Sequence, residues 1–434
     1  MVRSKKAKAH SHDRRSAATT GSAAIVAATI DYEGWLQTRV DVVESDIKLK
    51  HKQMAGSLFA FLRATFYHWA SRWPEVCPNL IETPRVLAVG DLHLENFGTW
   101  RDTEGRLVWG VNDFDEVASM PYAVDLVRLV TSAILAKNEN GLTIDAGGAA
   151  TAVLEGYAES LEAGGKPFIL EESHPALREM ALGAERDPTH FWPKLTTLPP
   201  VTPPKRVQRL LRHSLPDNAG EIAFSNRTAG VGSLGRPRYV AIAECNGGLV
   251  AREAKAWLPS AWGWARGRLK EHAFSVRLLK HSVRQPDPYC AVKDGWIVRR
   301  VGPHCGRIEL AEFPKRRDER LILKDMGRET ANLHLATWDQ PRMSCAILLS
   351  EGATGCWWPL RPWQRRRSET GRFSVHRNWR VNAQDARAGL RYKRKGAGPK
   401  SRALAGCCLS TPSSFAGTFR AYDAAELFLR SDMN

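Results

Sequence analysis

Long apolar runs are missing from this chain. Nothing approaches the roughly 18–20 uninterrupted apolar residues of a membrane span, and the best stretch, "DLVRLVTSAILA", is short and carries Arg128. The basic, acid-poor opening "MVRSKKAKAHSHDRRSAATTGSAA" has no apolar segment and no small-residue cleavage site, so a secretory signal is not expected. No Cys-x-x-Cys pair occurs either. The eight cysteines (Cys77, Cys245, Cys290, Cys305, Cys345, Cys356, Cys407 and Cys408) are scattered. That spacing argues against a disulfide scaffold or a zinc knuckle and suits a reducing cytoplasm.

What is present is an ordinary globular composition, 43% hydrophobic and 25% charged, over 434 residues, enough for two or three domains. The formal charge of +17 invites a nucleic-acid reading, but its distribution is uneven. Residues 339–434 hold 17 Lys and Arg against 7 Asp and Glu, so most of the excess lies in that stretch. Nucleic acid is therefore expected as a partner only through this basic tail, with binding that weakens steeply as salt rises.

Periodicity divides the chain. Residues 1–25 read as a disordered basic tail. Residues 26–215 read as a mainly helical lobe containing one hairpin. Within it, 30–75 has helical spacing broken at Gly56 and Ser57, and "RVLAVGD" is a buried strand. "NFGTW" and "RLVWGVNDF" flank the turn "RDTEG" as a hairpin, and "MPYAVDLVRLVTSAILAK" is a helix with Asp125 in its first turn. Residues 140–185 look helical, and the Pro-rich "TTLPPVTPPK" is an irregular crossing. Residues 216–300 read as a β lobe, with "RYVAIAE" and "LVAREAK" joined through Asn246-Gly247 and followed by one helix and the strand "DGWIVRRVG". Residues 301–338 close the fold with a strand and an amphipathic helix. Beyond 338 neither period persists, and 339–434 reads as an unpatterned basic tail, disordered or out of frame.

The chemistry concentrates at "VLAVGDLHLENFG". Asp91 and Asn96 sit in the loop after the strand, and Asp113 lies at the far end of the following hairpin. One carboxylate, one amide and a second carboxylate are thus carried to one rim. Asn96 and Asp113 offer the hard oxygens that magnesium prefers, with phosphates and water completing its shell. Asp91 would then be free to accept a proton from an attacking hydroxyl. The alternative is that Asp91 and Asn96 only cap local turns, and His93 is expected to make local hydrogen bonds.

Further on, "GVGSLG" supplies Gly230, Gly232, Ser233 and Gly235 ahead of a β-hairpin, not the helix a dinucleotide fold requires. Lys255 lies on the second strand of that hairpin. Alternation puts it on one face with Glu253 and Ala251, and Arg252 on the other. Glu271, in the next helix, is a suitable acidic partner for Lys255.

These residues resemble a protein-kinase-like catalytic centre. "GDLHLEN" is similar to the catalytic loop of aminoglycoside and choline phosphotransferases, although Val89 stands where those enzymes carry His. "VNDFDE" is similar to their metal-binding segment, and "DLVRL" to the helix start that follows it. The resemblance implies ATP and magnesium as cofactors, with Asp91 as base and Asn96 and Asp113 as metal ligands. It further implies a Gly loop with Lys255 on the nucleotide phosphates. Because the catalytic loop precedes the Gly loop, the expected fold is α+β, two-lobed, kinase-like and circularly permuted. The same landmarks, from "KQMAGSLFAFLRATF" through "NDFDE", "RDPTHFWPKL", "AGVGSLG" and "KAWLPS" to "ETANLHLAT", resemble the bacterial family catalogued as domain of unknown function 2252. That family's lysine segment reads Lys-Glu-Ala, which makes Arg252 a rival to Lys255. The expected activity is phosphoryl transfer to a small-molecule or protein acceptor. A regulatory nucleotide-binding pseudokinase and a basic nucleic-acid binder are the alternatives. A metallophosphatase, which "GDLH" alone would allow, lacks its upstream Asp-x-His and its Gly-Asn-His-Asp or -Glu motif.

Overall fold

The computed structural model describes residues 21–337 except 141, 172, 183–186, 270–273 and 309–318. The first twenty residues, Glu271 and the tail expected at 339–434 lie outside the described residues. Among the described residues no helix is long and apolar enough to cross a membrane.

The chain opens with four helices, α1 (Gly21–Gln37), α2 (Glu44–Gly56), α3 (Leu58–Ala64) and α4 (Phe66–Val76). The break expected at Gly56 and Ser57 is there: Ser57 is extended, and its hydroxyl accepts from the Ala60 N–H at 3.1 Å to start α3. Next come β1 (Arg85–Ala88), a 3₁₀ turn at Leu94–Asn96, and the hairpin of β2 (Phe97–Arg101) with β3 (Leu107–Val111). A short strand, β4 (Ala118–Pro121), returns to pair with β1 before α5 (Ala123–Asn140).

Residues 140–185 are not helical throughout. Between α6 (Ala146–Ala163) and α7 (Pro175–Ala181) a two-residue strand, β5 (Phe168–Ile169), joins β3. Two further helices follow, α8 (Pro188–Thr196) and α9 (Lys205–Ser214). The β region then comprises β6 (Ala223–Asn226), β7 (Arg238–Cys245), β8 (Gly248–Ala256), α10 (Ala261–Ala265), α11 (Phe274–His281), β9 (Ala291–Lys293) and β10 (Trp296–Val301). Where one helix was expected after β8, two separate helices are described. Strand β11 (Gly306–Arg307) pairs with β2, and α12 (Glu319–His334) ends the described chain but for one 3₁₀ turn.

The molecule is mixed α+β with antiparallel sheets. The largest runs β6-β7-β8-β10-β9, and a four-stranded sheet runs β11-β2-β3-β5. Asn246 and Gly247 both adopt positive φ, as a two-residue hairpin turn between β7 and β8 requires. Register places Arg238 opposite Lys255, and Val240 and Arg299 opposite Glu253, so these side chains share one face. Further along the same face, Val240, Ile242, Ala251 and Val301 pack under Leu195 of α8, while the opposite face carries Leu210 and Leu211 of α9. The largest core lies elsewhere, built on Phe66, Trp73, Trp109 and the apolar side of α5, α6 and α12.

Candidate functional site

The loop after β1 is held by its backbone. Both carboxylate oxygens of Asp125, at the start of α5, accept N–H groups: Val89 at 2.7 Å and Gly90 at 2.8 Å. Nε2 of His334 meets the same carboxylate at 3.0 Å. This contact uses the peptide N–H of Val89 and not its side chain. Gly90 has φ +85°, and a Cβ there would stand 2.6 Å from the carbonyl oxygen of Glu116 and 2.7 Å from the Met120 methyl. Only glycine satisfies both the conformation and the space.

Asp91 therefore emerges at a fixed point. Its Oδ1 accepts from Arg128 twice, from Nε at 3.0 Å and Nη2 at 2.5 Å. Arg128 is fully buried between Phe66 and Trp69, with its guanidinium about 5 Å from each ring and Nη2 also donating to the Leu62 carbonyl. Burial pushes the Asp91 carboxyl above the usual carboxylate range. Arg128 pulls it back, and the nearby Asp113 adds to the rise. A carboxylate so raised is a better proton acceptor than a solvated one.

Asn96 and Asp113 are brought to one edge by the hairpin. Phe97 pairs with Val111, and the Asn112 N–H donates to the Asn96 carbonyl at 2.9 Å, one position from Asp113. Asn96 Oδ1 already accepts from the His93 N–H at 2.8 Å, so the turn-capping role is present too; a second lone pair remains for a cation. His93 is buried against Phe59. Burial, reinforced by Arg63, Arg128 and Arg307, holds its imidazole neutral.

Lys255 closes the site from β8. Its Nζ reaches Asp113 Oδ1 at 3.3 Å, across 142 positions of chain, and Asp115 Oδ2 at 2.5 Å. Enclosure acts to raise the Asp113 carboxyl, but Lys255, Arg299 and Arg238 outweigh it and hold it at about 2. With over a third of its side chain exposed, Asp113 is an ionised carboxylate that solvent reaches. Arg252 points to the other face of the sheet, where Nε donates to the Ser214 carbonyl at 2.7 Å and the guanidinium lies 4.1 Å from the Tyr289 ring. Lys255 thus faces Asp113 and Asp115, and Arg252 the opposite side of the sheet. Its described acidic partners are Asp113 and Asp115; Glu271 lies outside the described residues.

The glycine loop lies over Asp91. Gly230 and Gly235 adopt positive φ, and Val231–Ser233 forms a 3₁₀ turn. A Cβ on Gly232 would come within 2.7 Å of the Arg63 carbonyl oxygen and 3.0 Å of Asp91 Oδ2. Ser233 Oγ accepts from Arg238 Nη2 at 2.7 Å, which ties the loop to β7. Arg238, Arg227 and Arg299 converge on Glu253. Burial would raise that carboxyl, but the three guanidinium groups hold it well below the usual range.

A family model described as an uncharacterized protein conserved in bacteria, domain of unknown function 2252, matches residues 41–187. Over that stretch the chain is similar to this family. The match contains Asp91, Asn96, Asp113 and Arg128. It ends before the glycine loop and Lys255, so the landmarks from "AGVGSLG" onward fall outside it. No curated protein and no solved structure matches the chain.

Several residues of the site are absent from the motif reading: Arg128 on Asp91, Arg236 on Asp115 and Glu116, and Arg238 on Glu253. One signal was available for the first. In "DLVRL", Asp125 and Arg128 stand three apart, hence on one helix face, and both turn toward the loop at residue 91. Glu116 gives a second join between the halves, accepting from Arg236 at 2.8 Å and from the Ala261 N–H at 2.6 Å. Among the described residues no three of His, Cys, Asp and Glu form a metal cage. Asp113 and Asn96 suit magnesium, which takes one or two protein oxygens and fills the rest of its shell with phosphate and water.

Proposed function

We propose that this protein is an ATP- and magnesium-dependent phosphotransferase with a kinase-like site whose catalytic segment precedes its glycine loop in the chain. One juxtaposition carries the reading: Lys255 reaches Asp113 while Gly232 lies against Asp91, although the two pairs come from distant parts of the sequence. Asp91 is the base. Oδ1 is fixed by Arg128, and Oδ2, on the glycine-loop side, takes the proton of an acceptor hydroxyl as its oxygen attacks the terminal phosphorus of ATP, with ADP as the leaving group. Lys255 and the loop N–H groups neutralise and orient the phosphates. Asp113 and Asn96 would hold magnesium, which supplies charge stabilisation on the transferring group.

Calorimetric titration of the full chain with ATP tests this. Binding should require magnesium and disappear in Asp113→Ala. Absence of binding by a folded chain would end the reading. A second reading, nucleotide binding without transfer, is favoured by the fact that Arg128 holds Oδ1 of Asp91 and the glycine loop stands beside Oδ2, leaving 17% of the side chain exposed. Asp91→Asn separates the two readings. A transferase loses turnover and keeps ATP affinity, whereas a binder shows no turnover to lose.

A further inference from the structure

Beside the site is a cavity of about 90 Å³, several times the space one water needs. Its walls come from the end of β10, the segment 284–290 and the β2–β3 hairpin. Three guanidinium groups (Arg284, Arg299 and Arg300) line it against the carboxylate of Asp287, with Trp100 and Phe114 as aromatic walls.

Arg284 is the telling residue. Its side chain is 6% exposed and its guanidinium lies 4.2 Å from the Trp100 ring and 5.0 Å from Phe114. Nη1 is buried with no hydrogen-bond partner among the described residues, and Glu329 Oε1 stands 4.0 Å away, beyond hydrogen-bonding distance. Burial also pushes the Glu329 carboxyl up to about 7, so it is only a partial counter-ion near neutrality. Arg299 is committed to Glu253 and to the Asn112 carbonyl, and Asp287 Oδ1 accepts from the Tyr289 N–H. A buried guanidinium whose Nη1 makes no hydrogen bond among the described residues, and whose paired carboxylate stands 4.0 Å off, is under-satisfied, and a bound anion would complete it.

We propose that this cavity is an anion pocket that receives a carboxylate or phosphate group of the phosphoryl acceptor, with Arg284 as its principal donor. The word acceptor rests on the phosphotransferase reading; the pocket itself does not. Phe114, in its wall, directly follows Asp113, so an anion here is held next to the metal-binding residues. It is distinct from the place of the ATP phosphates. Gly232 and Gly235 of the glycine loop pack on Arg63, Asp91 and Ile47, none of which lines the cavity. The acceptor class that follows is a small molecule carrying an acid group as well as a hydroxyl.

The test uses the full chain and inorganic phosphate, titrated calorimetrically with chloride balancing the ionic strength. Wild type should bind phosphate saturably. Arg284→Gln should weaken it about tenfold or more, the size of losing one charge-assisted hydrogen bond. Asp287→Asn, which removes the carboxylate from the wall, should tighten it, and saturating magnesium-ATP should leave it unchanged. Equal affinity in wild type and Arg284→Gln would overturn the pocket. If Arg284→Gln does not fold, an Asp287→Asn chain that binds no more tightly than wild type would overturn it equally. Displacement of phosphate by magnesium-ATP would overturn the acceptor assignment. So would a chain that binds phosphate as described and never binds ATP, which would leave the pocket standing and the phosphotransferase reading without support.

Discussion

Asp125 shows how a charged residue can be structural and still decide chemistry. Its two oxygens satisfy the N–H groups of Val89 and Gly90, and the one on Val89 also meets His334, in a place with no exposed surface. Asp125→Ala leaves two buried donors unpaired, and each such loss costs about 1–3 kcal/mol. Urea unfolding should therefore report a loss of roughly 3 kcal/mol or more. Asp125→Asn, which keeps one acceptor but turns an NH₂ toward the other donor, should fall between the two. Glu329 carries a pH signature. Its carboxyl is raised from 4.5 to about 7, first by burial. The folded state thus binds a proton more tightly than the unfolded one. The contribution is fully present below about pH 4.5 and is lost as pH rises through about 7, up to roughly 3 kcal/mol in all. Unfolding midpoints measured from pH 5 to pH 8 should fall more steeply for wild type than for Glu329→Gln. Asp91, Asn96, Asp113 and Lys255 could be picked out as candidates because each is a polar letter at a fixed distance from an apolar strand. The buried ion pairs of Arg236 and Arg238 could not. Whether a charged letter is buried depends on partners far away in the chain, and sequence spacing carries no record of them.

Helices α6 and α12 cross almost in backbone contact. A Cβ on Gly156 would lie 1.8 Å from the Lys324 carbonyl oxygen, and one on Gly327 would lie 2.0 Å from that of Val153. Neither glycine could be recognised beforehand, because a glycine within a helical pattern reads only as a weak position. The meaning comes from the partner helix. Gly327→Ala gains helix propensity of about 1 kcal/mol but must push two backbones apart, so a net loss of about 2 kcal/mol is expected. Gly247→Ala makes the contrast. Its Cβ would meet open space, and only the positive φ is penalised, so about 1 kcal/mol should be lost. Measuring both by the same denaturant titration separates crowding from conformation. The β7–β8 turn was legible for the reason that makes Gly247 sensitive: Asn-Gly is the local answer to two positive φ values. The pairings of β1 with β4 and of β11 with β2 were not, since strands of two to five residues are set by where distant segments meet.

The two halves of the candidate site are joined by charge. Lys255 bridges to Asp113 and Asp115, Arg236 to Asp115 and Glu116, and the glycine loop rests on Asp91. A ligand that replaces protein–protein contacts in this junction with its own phosphates and a cation binds only the assembled state. It should then stabilise the chain by mass action, about 2.7 kcal/mol at a hundredfold excess over its dissociation constant. On the phosphotransferase reading, ATP with magnesium raises the melting temperature, while ATP with a chelator does so much less. Lys255→Ala and Asp113→Ala should both abolish the magnesium-dependent part. Arg252→Ala, on the far face of the sheet, should retain it even if its own melting temperature is lower. The comparison is between shifts and not absolute values, so a variant that is merely less stable is not mistaken for one that has lost the site. If Arg252→Ala loses the shift and Lys255→Ala keeps it, the cation that meets the nucleotide is on the opposite face of β8, and the cleft between the halves is not where phosphate binds.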